Sequence, residues 1–276
     1  MQPISKGIAV YGRPGCVYLL QRPVKASMLI SLINRSKAIP DARAQEVARA
    51  INRQISEDFE PYWSFGGALR LEGPIGRRLR VKDQSDMRGD AVMYLVDGTN
   101  TREAAGWHEG NYRDIPYGIV FLGLCEKLQE DWSITLSHET LELIGDPLCN
   151  LLVEGNHPFD RRRRVLHLFE MCDAVQAESY TIDGVAVSNF VLPSYFSLGE
   201  QPGRRNDFLG TVCQGKTLQS FAMNPGAYLN IFDPTTGKWS QPEYEDDAQA
   251  RLRKKHKAQV KAGRGYRRIH PKPLPR

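Results

Sequence analysis

Long apolar runs are missing from this 276-residue chain. No stretch is long enough to read as a membrane span, and the opening "MQPISKGIAVYGRPGC" lacks the continuous apolar segment of a secretory signal. The expectation is a cytoplasmic protein with no membrane partner. Cysteine is also scarce. Cys16, Cys125, Cys149, Cys172 and Cys213 are an odd number, lie far apart and include no CxxC pair. That excludes a disulfide framework, argues against a thiolate zinc cluster and predicts reduced, mostly buried thiols. No segment recurs with a period of roughly 20–50 residues, which excludes a solenoid.

Acidic residues are missing from the C-terminal end, where residues 251–276 hold 11 Lys and Arg and no acid. The formal net charge of +5 therefore hides an acidic body, because residues 1–250 carry 26 basic against 32 acidic side chains. The division predicts one domain over residues 1–241 and a basic, flexible tail over 242–276. Such a tail is either a solvated extension or a contact for nucleic acid or another polyanion.

What is present reads as a mixed order of elements. "PDARAQEVARAINRQISEDFEPYW" starts at a Pro40-Asp41 cap and places Val47, Ala48, Ile51, Ile55 and Phe59 three and four apart. That spacing predicts an amphipathic helix ending near Pro61. "ALRLE", "AVMYLVD" and "GIVFLGL", at 68–72, 91–97 and 118–124, are β-branched or aliphatic runs bounded by Gly, Asp and Asn, and predict strands. "ESYTIDGVAVSNFVLP" predicts a hairpin about Asp183-Gly184, and "AYLNIFDPTTGKW" a later one. "SLGEQPGRRNDFLG" between them predicts a loop.

The stretch "SHETLELIGDP", residues 137–147, gathers a His, two Glu and an Asp among aliphatic residues. At about 100° per residue, Glu142, Asp146 and Glu139 fall at about 40°, 80° and 100° from His138, so all four share one helical face. Pro147 disfavours helical conformation at Asp146 and predicts that the helix ends there. A solvated face would mix in Lys or Arg four residues away, yet no basic residue lies between Lys127 and Arg161. Carboxylates crowding an imidazole need a cation to offset their repulsion, and a metal would supply it. His138 and Glu142, four apart, aim at one point, while Glu139 can reach a metal-bound water without ligating.

"HETLE" resembles the HExxH helix of zincin metallopeptidases, with Glu142 where the second histidine stands. "HETLELIGDP" is similar to the HExxExxxDP stretch of exordium-like plant proteins and of uncharacterised bacterial and phage proteins. "FEMCDAVQAESYTIDGVAVSNFVLPSYF" extends the similarity to those bacterial proteins over most of residues 40–240. The resemblance implies an α+β fold with a zincin-like core, made of a backing helix, a mixed β-sheet and an active-site helix, followed by β-hairpins and the basic tail. It implies Zn2+, or another divalent ion, and Glu139 as general base acting on a peptide or protein substrate. For a phage protein it also implies a virion location. Two other classes stay open: a catalytically inactive zincin-fold binding or structural protein, such as a phage particle component, and a polyanion binder acting through residues 251–276.

A third metal ligand is needed beside His138 and Glu142. "VLHLFEMCDAV" offers Glu170 and Asp173, which stand side by side if the segment is helical. Glu170 is the first choice, Asp146 its competitor and His167 a further alternative, with Asp173 accepting the free ring N–H of His138. His108, in a Gly-flanked loop before a strand, is a candidate to stabilise an oxyanion or contact substrate. Tyr195 of "LPSYF" is a candidate hydroxyl donor. Arg161 to Arg164, four consecutive charges, predict a solvated loop or helix start.

Overall fold

The computed structural model describes residues 27–73, 88–98, 104–111, 113–199 and 203–244. The predicted tail over 242–276 lies outside the described residues from 245 onward, as does Cys16. The described chain is a mixed α and β structure with several sheets and few helices. Among the described residues no helix is long and apolar enough to cross a membrane.

Strand β1 (Ser27–Asn34) leads into helix α1 (Asp41–Arg53), which continues through a π-helical turn at Gln54–Phe59 into α2 (Glu60–Trp63). The helix thus runs past Pro61 and stops at Ser64, whose left-handed backbone (φ 58°) lets its amide reach the Glu60 carbonyl at 2.8 Å. Strands β2 (Gly66–Leu71), β3 (Ala91–Val96), β4 (Gly106–Gly110) and β5 (Pro116–Phe121) follow. Next come α3 (Leu122–Lys127) and α4 (Trp132–Gly145). These five strands form one sheet in the order β2-β1-β3-β5-β4. β2, β1, β3 and β5 are parallel, and β4 is an antiparallel edge strand beside β5.

The period-two alternation of strands sorts this sheet's side chains. Ile30, Leu32, Ala91, Met93, Leu95 and Val120 join the main core with the helices. Ile33, Val92, Tyr94, Ile119 and Trp107 make a separate cluster. The helices therefore pack on one face of the sheet. His108, one residue after Trp107, points to that helical face. One expected feature changes here: "GWHEG" is a strand rather than a loop, because its five residues pair with β5. "SMLISLIN", which carried no expectation, is an interior strand between β2 and β3.

Beyond α4, β6 (Leu152–His157) and β7 (Asp160–Leu168) pair antiparallel, and a 3-10 turn follows at Asp173–Val175. Hairpin β8 (Ser179–Ile182) to β9 (Val185–Ser188) turns through Asp183 and Gly184, at φ 51° and 77°, as an Asp-Gly turn requires. The short pair β10 (Val212–Cys213) and β11 (Lys216–Thr217) precedes β12 (Ile231–Asp233) and β13 (Lys238–Ser240). The last two join β7 and β6 in a four-stranded sheet ordered β13-β12-β7-β6. Pro242 and Tyr244 bond back to Leu229, Ala227 and Gly226, so the ordered body extends to the end of the described residues.

Two expectations about this half are overturned. "VLHLFEMCDAV" is not helical: it is the end of β7, an irregular turn and the 3-10 segment. Arg161 to Arg164 lie on β7, exposed, where pairing with β6 supplies the backbone bonds a loop would lack.

A buried polar knot ties the backing helix to α4 and the β8–β9 hairpin. The Ser137 hydroxyl donates to Gln54 Oε1 at 2.6 Å, Gln54 Nε2 donates to the Ser188 carbonyl at 2.7 Å, and the Ser188 amide donates to the Ser137 hydroxyl at 3.1 Å. Gln54 opens the π turn, so this widened turn sits against the helix that carries the candidate site.

Candidate metal centre

α4 starts cleanly because Asp131 accepts the Ser133 amide at 3.0 Å, and it ends at Gly145, with Asp146 leaving helical conformation (φ −133°, ψ 75°) ahead of Pro147. A side chain at Gly145 would run into Met171, so glycine lets the loop after β7 lie against the helix end. The helix is buried almost all round. Its acidic face is no solvated face: His138 is 8% exposed, Glu139 1% and Glu142 0%.

Four other segments close on that face. From β4, His108 brings Nδ1 to 3.2 Å from Glu139 Oε2 and 3.9 Å from Glu142 Oε2, while its Nε2 lies 3.2 Å from the Asp146 carbonyl. Gly106 of β4 packs over Glu139, where an added Cβ would stand 2.7 Å from Glu139 Cγ. From the loop after β7, the Cys172 amide donates to Glu142 Oε1 at 3.2 Å. Asp173 Oδ1 comes within 3.4 Å of His138 Nε2, which is itself 3.2 Å from Glu142 Oε1. From the turn after α4, the Cys149 thiol donates to Glu170 Oε1 at 2.9 Å. Asn230, just before β12, donates to Asp173 Oδ2 at 3.2 Å and reaches Glu170 Oε2 at 3.5 Å.

The electrostatics are out of balance. Glu142 Oε2, Asp146 Oδ1 and Asp173 Oδ1 are buried without a hydrogen bond, and each such oxygen costs more than the roughly 1–3 kcal/mol of a neutral orphan if its carboxylate is charged. Protons compensate. Burial, with the charges of Glu142 and Glu170, pushes Asp173 well above the usual carboxylate range, and burial also raises Asp146. Burial alone would lower His138, but the Glu142 charge and the close approach of the Asp173 and Glu142 carboxyls hold it well above its ordinary value. Burial likewise opposes protonation of His108, and Glu139 outweighs it. A cavity that retains protons on buried acids and imidazoles is chemically suited to exchange them for a cation.

Four sets of three side chains place ligand atoms within 4.8 Å of one another: His138, Glu142 and Cys172; His108, Glu139 and Glu142; Glu142, Glu170 and Asp173; and His108, Cys149 and Glu170. Glu142 belongs to three of them and is the hub. A surface cleft reaches this cluster between β4 and α4, lined by Gly106, Thr135, His138, Glu139, Gln176 and Tyr228 among others. His138 and Glu139 thus line the cleft, and His108 and Glu142 do not.

The remaining candidates are placed as follows. His108, expected at the substrate, is 3% exposed and belongs to the buried cluster, with Nδ1 on Glu139 and Nε2 on the Asp146 carbonyl. The Tyr195 hydroxyl donates to the Ala222 carbonyl at 2.7 Å and is held there. His167, on β7, donates Nε2–H to the Asn156 carbonyl at 2.8 Å, stacks 4.8 Å from Phe221, and is pushed down to about 4 by burial, so it is a neutral core histidine. Residues missed in sequence are Cys149, Cys172, Asn230 and Gly106. Only "GDPLC" carried a hint, a turn that returns a thiol to the helix end. No protein-family model, curated protein or solved structure matches this chain.

Proposed function

We propose that the chain is a metal-dependent hydrolase of zincin type, a zinc metallopeptidase acting on peptide or protein substrate. The observation that carries this reading is the set of orphaned buried oxygens on Glu142, Asp146 and Asp173 about a His-Glu-x-x-Glu helix. An antiparallel edge strand beside that helix, and a cleft between them floored by His138 and Glu139, support the same reading.

A bound divalent ion supplies a Lewis acid for the scissile carbonyl and makes water acidic enough to attack near neutral pH. His138 Nε2 and Glu142 Oε1, 3.2 Å apart, and Asp173 Oδ1, 3.4 Å from His138 Nε2, would hold it. We take Asp173 rather than Glu170 as the third ligand, since Glu170 Oε1 accepts the Cys149 thiol and its Oε2 lies 3.5 Å from Asn230 Nδ2. Glu139 is the general base. Its Oε2 lies 3.2 Å from His108 Nδ1 and its Oε1 faces Gly106 beside the cleft, where the carboxylate would accept the water's proton.

Elemental analysis of purified wild type, His138→Ala and Glu142→Gln tests the ligand set. Wild type should carry divalent metal, and each variant should bind it at least 10- to 100-fold more weakly. Equal metal content in all three, or none in wild type, would remove the mechanism.

A further inference from the structure

Behind the His138 and Glu142 pair lies a donor set that the hydrolytic reading uses only through the contact of His108 with Glu139. His108, Cys149 and Glu170 are all buried, bring a ring nitrogen, a thiol and a carboxylate oxygen within 4.8 Å of one another, and share no residue with His138, Glu142 and Asp173. They come from three segments: β4, the turn after α4 and the loop after β7. The turn is closed by the Cys149 amide donating to the Asp146 carbonyl at 2.9 Å, and Cys149 adopts φ 54°, a left-handed conformation rare for a cysteine.

A second observation comes from the same turn. Asp146 is 1% exposed; its Oδ2 accepts the Leu151 amide at 2.7 Å, but its Oδ1 is buried with no hydrogen bond. His108 and Glu170 are the side-chain charges that act on it. The carbonyl of the same residue faces His108 Nε2 at 3.2 Å.

We propose that His108, Cys149 and Glu170, with Asp146 Oδ1 as fourth donor, form a second metal position, closed to solvent and suited to zinc or another thiophilic divalent ion. Nitrogen, sulfur and carboxylate oxygen are zinc's ordinary ligands, and four protein donors without an open position are the mark of a structural rather than catalytic site. His108 Nδ1 is committed to Glu139 Oε2, so the ion would take Nε2, in place of the proton that now faces the Asp146 carbonyl. A ligating histidine whose other nitrogen donates to a carboxylate is the usual supporting arrangement. Binding releases two protons to solvent, that of the Cys149 thiol, now directed at Glu170 Oε1, and that of His108 Nε2. The ion would clamp edge strand β4 to the end of α4, fixing the wall of the cleft and, through His108, the general base.

The experiment strips the full-length chain of metal and titrates it with Co2+. Bound ions are counted by elemental analysis, and the near-ultraviolet thiolate-to-cobalt band is followed. Wild type is expected to take two ions and show the band. Cys149→Ser should take one and lose the band, with at least a 10- to 100-fold weaker affinity for the second ion. His138→Ala should take one and keep the band. Glu170→Gln, which preserves size, should behave as Cys149→Ser and serves if the serine variant does not fold. One ion in both wild type and Cys149→Ser, or a band that survives in Cys149→Ser, overturns the second position and leaves the hydrolytic reading standing. One ion in wild type that His138→Ala retains and Cys149→Ser loses keeps this position and overturns the hydrolytic reading instead.

Discussion

His108 Nδ1 stands 3.2 Å from Glu139 Oε2, with side-chain exposures of 1% and 2%, so a buried imidazole on the edge strand fixes a carboxylate at the cleft floor. Removing it leaves Glu139 without that anchor. His108→Ala is expected to lower kcat by about 10- to 100-fold with little change in KM, while the His138 ion stays bound. Steady-state kinetics beside metal content checks this, and a rise in KM at constant kcat would place His108 in substrate binding instead.

Gly106 matters for the same carboxylate. A Cβ there would stand 2.7 Å from Glu139 Cγ and 2.8 Å from Thr135 Cγ2, closer than real contacts allow. Gly106→Ala should cost about 1–3 kcal/mol in stability, the usual range for overpacking, and should displace the general base. Activity is expected to fall by about 10-fold or more with metal affinity unchanged. Full activity in a folded Gly106→Ala would mean that Glu139 does not need its present position.

Asp173 bonds one oxygen to Asn230 and leaves the other buried without a hydrogen bond. Asp173→Asn removes the burden of a buried charge and keeps an oxygen for Asn230. It should therefore stabilise the metal-free protein at pH 8, by about 1–3 kcal/mol, while weakening metal binding. Urea unfolding with and without zinc reads both effects. Destabilisation of the metal-free chain would show that Asp173 is a packing residue whose charge is already satisfied.

The raised pKa values give stability a definite pH slope. His138 and His108 titrate above their unfolded value near 6.5, and Asp173 and Asp146 above theirs near 3.9, so the native metal-free chain holds more protons than the unfolded chain. The imidazole contribution is full below about pH 6.5 and is lost as pH rises through the higher folded values. The aspartate contribution declines from about pH 4 upward, as the unfolded chain ionises first. The urea midpoint of metal-free protein is expected to fall between about pH 5 and pH 8, and to stay nearly level with saturating zinc, which replaces the protons. A metal-free midpoint that rises over that window contradicts these protonation states.

How much of this could be read in advance depends on how local each signal was. The shared face of His138, Glu139 and Glu142 is a property of one helix, so the 100° period sufficed, and the Asp183-Gly184 turn is likewise fixed by four residues. Strands 91–97 and 118–124 were legible from their aliphatic runs and are one to three residues out at their ends. His108 was misplaced because a five-residue edge strand between glycines looks like a loop until β5 pairs with it. Glu170 and Asp173 were assigned to a helix on the strength of their spacing, whereas an irregular turn brings them to α4. Cys149 carried no spacing signal at all, since its neighbours at the site come from residues 108 and 170.

The central claim is a divalent ion serving a hydrolytic Glu139, and its most direct measurement is hydrolysis of a mixed peptide library as zinc is returned to stripped protein. Wild type is expected to regain cleavage in proportion to bound zinc. Glu139→Gln should bind zinc with the same affinity and cleave about 100-fold more slowly or worse. No cleavage by wild type with zinc, cobalt or manganese across the neutral pH range, or equal cleavage by Glu139→Gln, would contradict it.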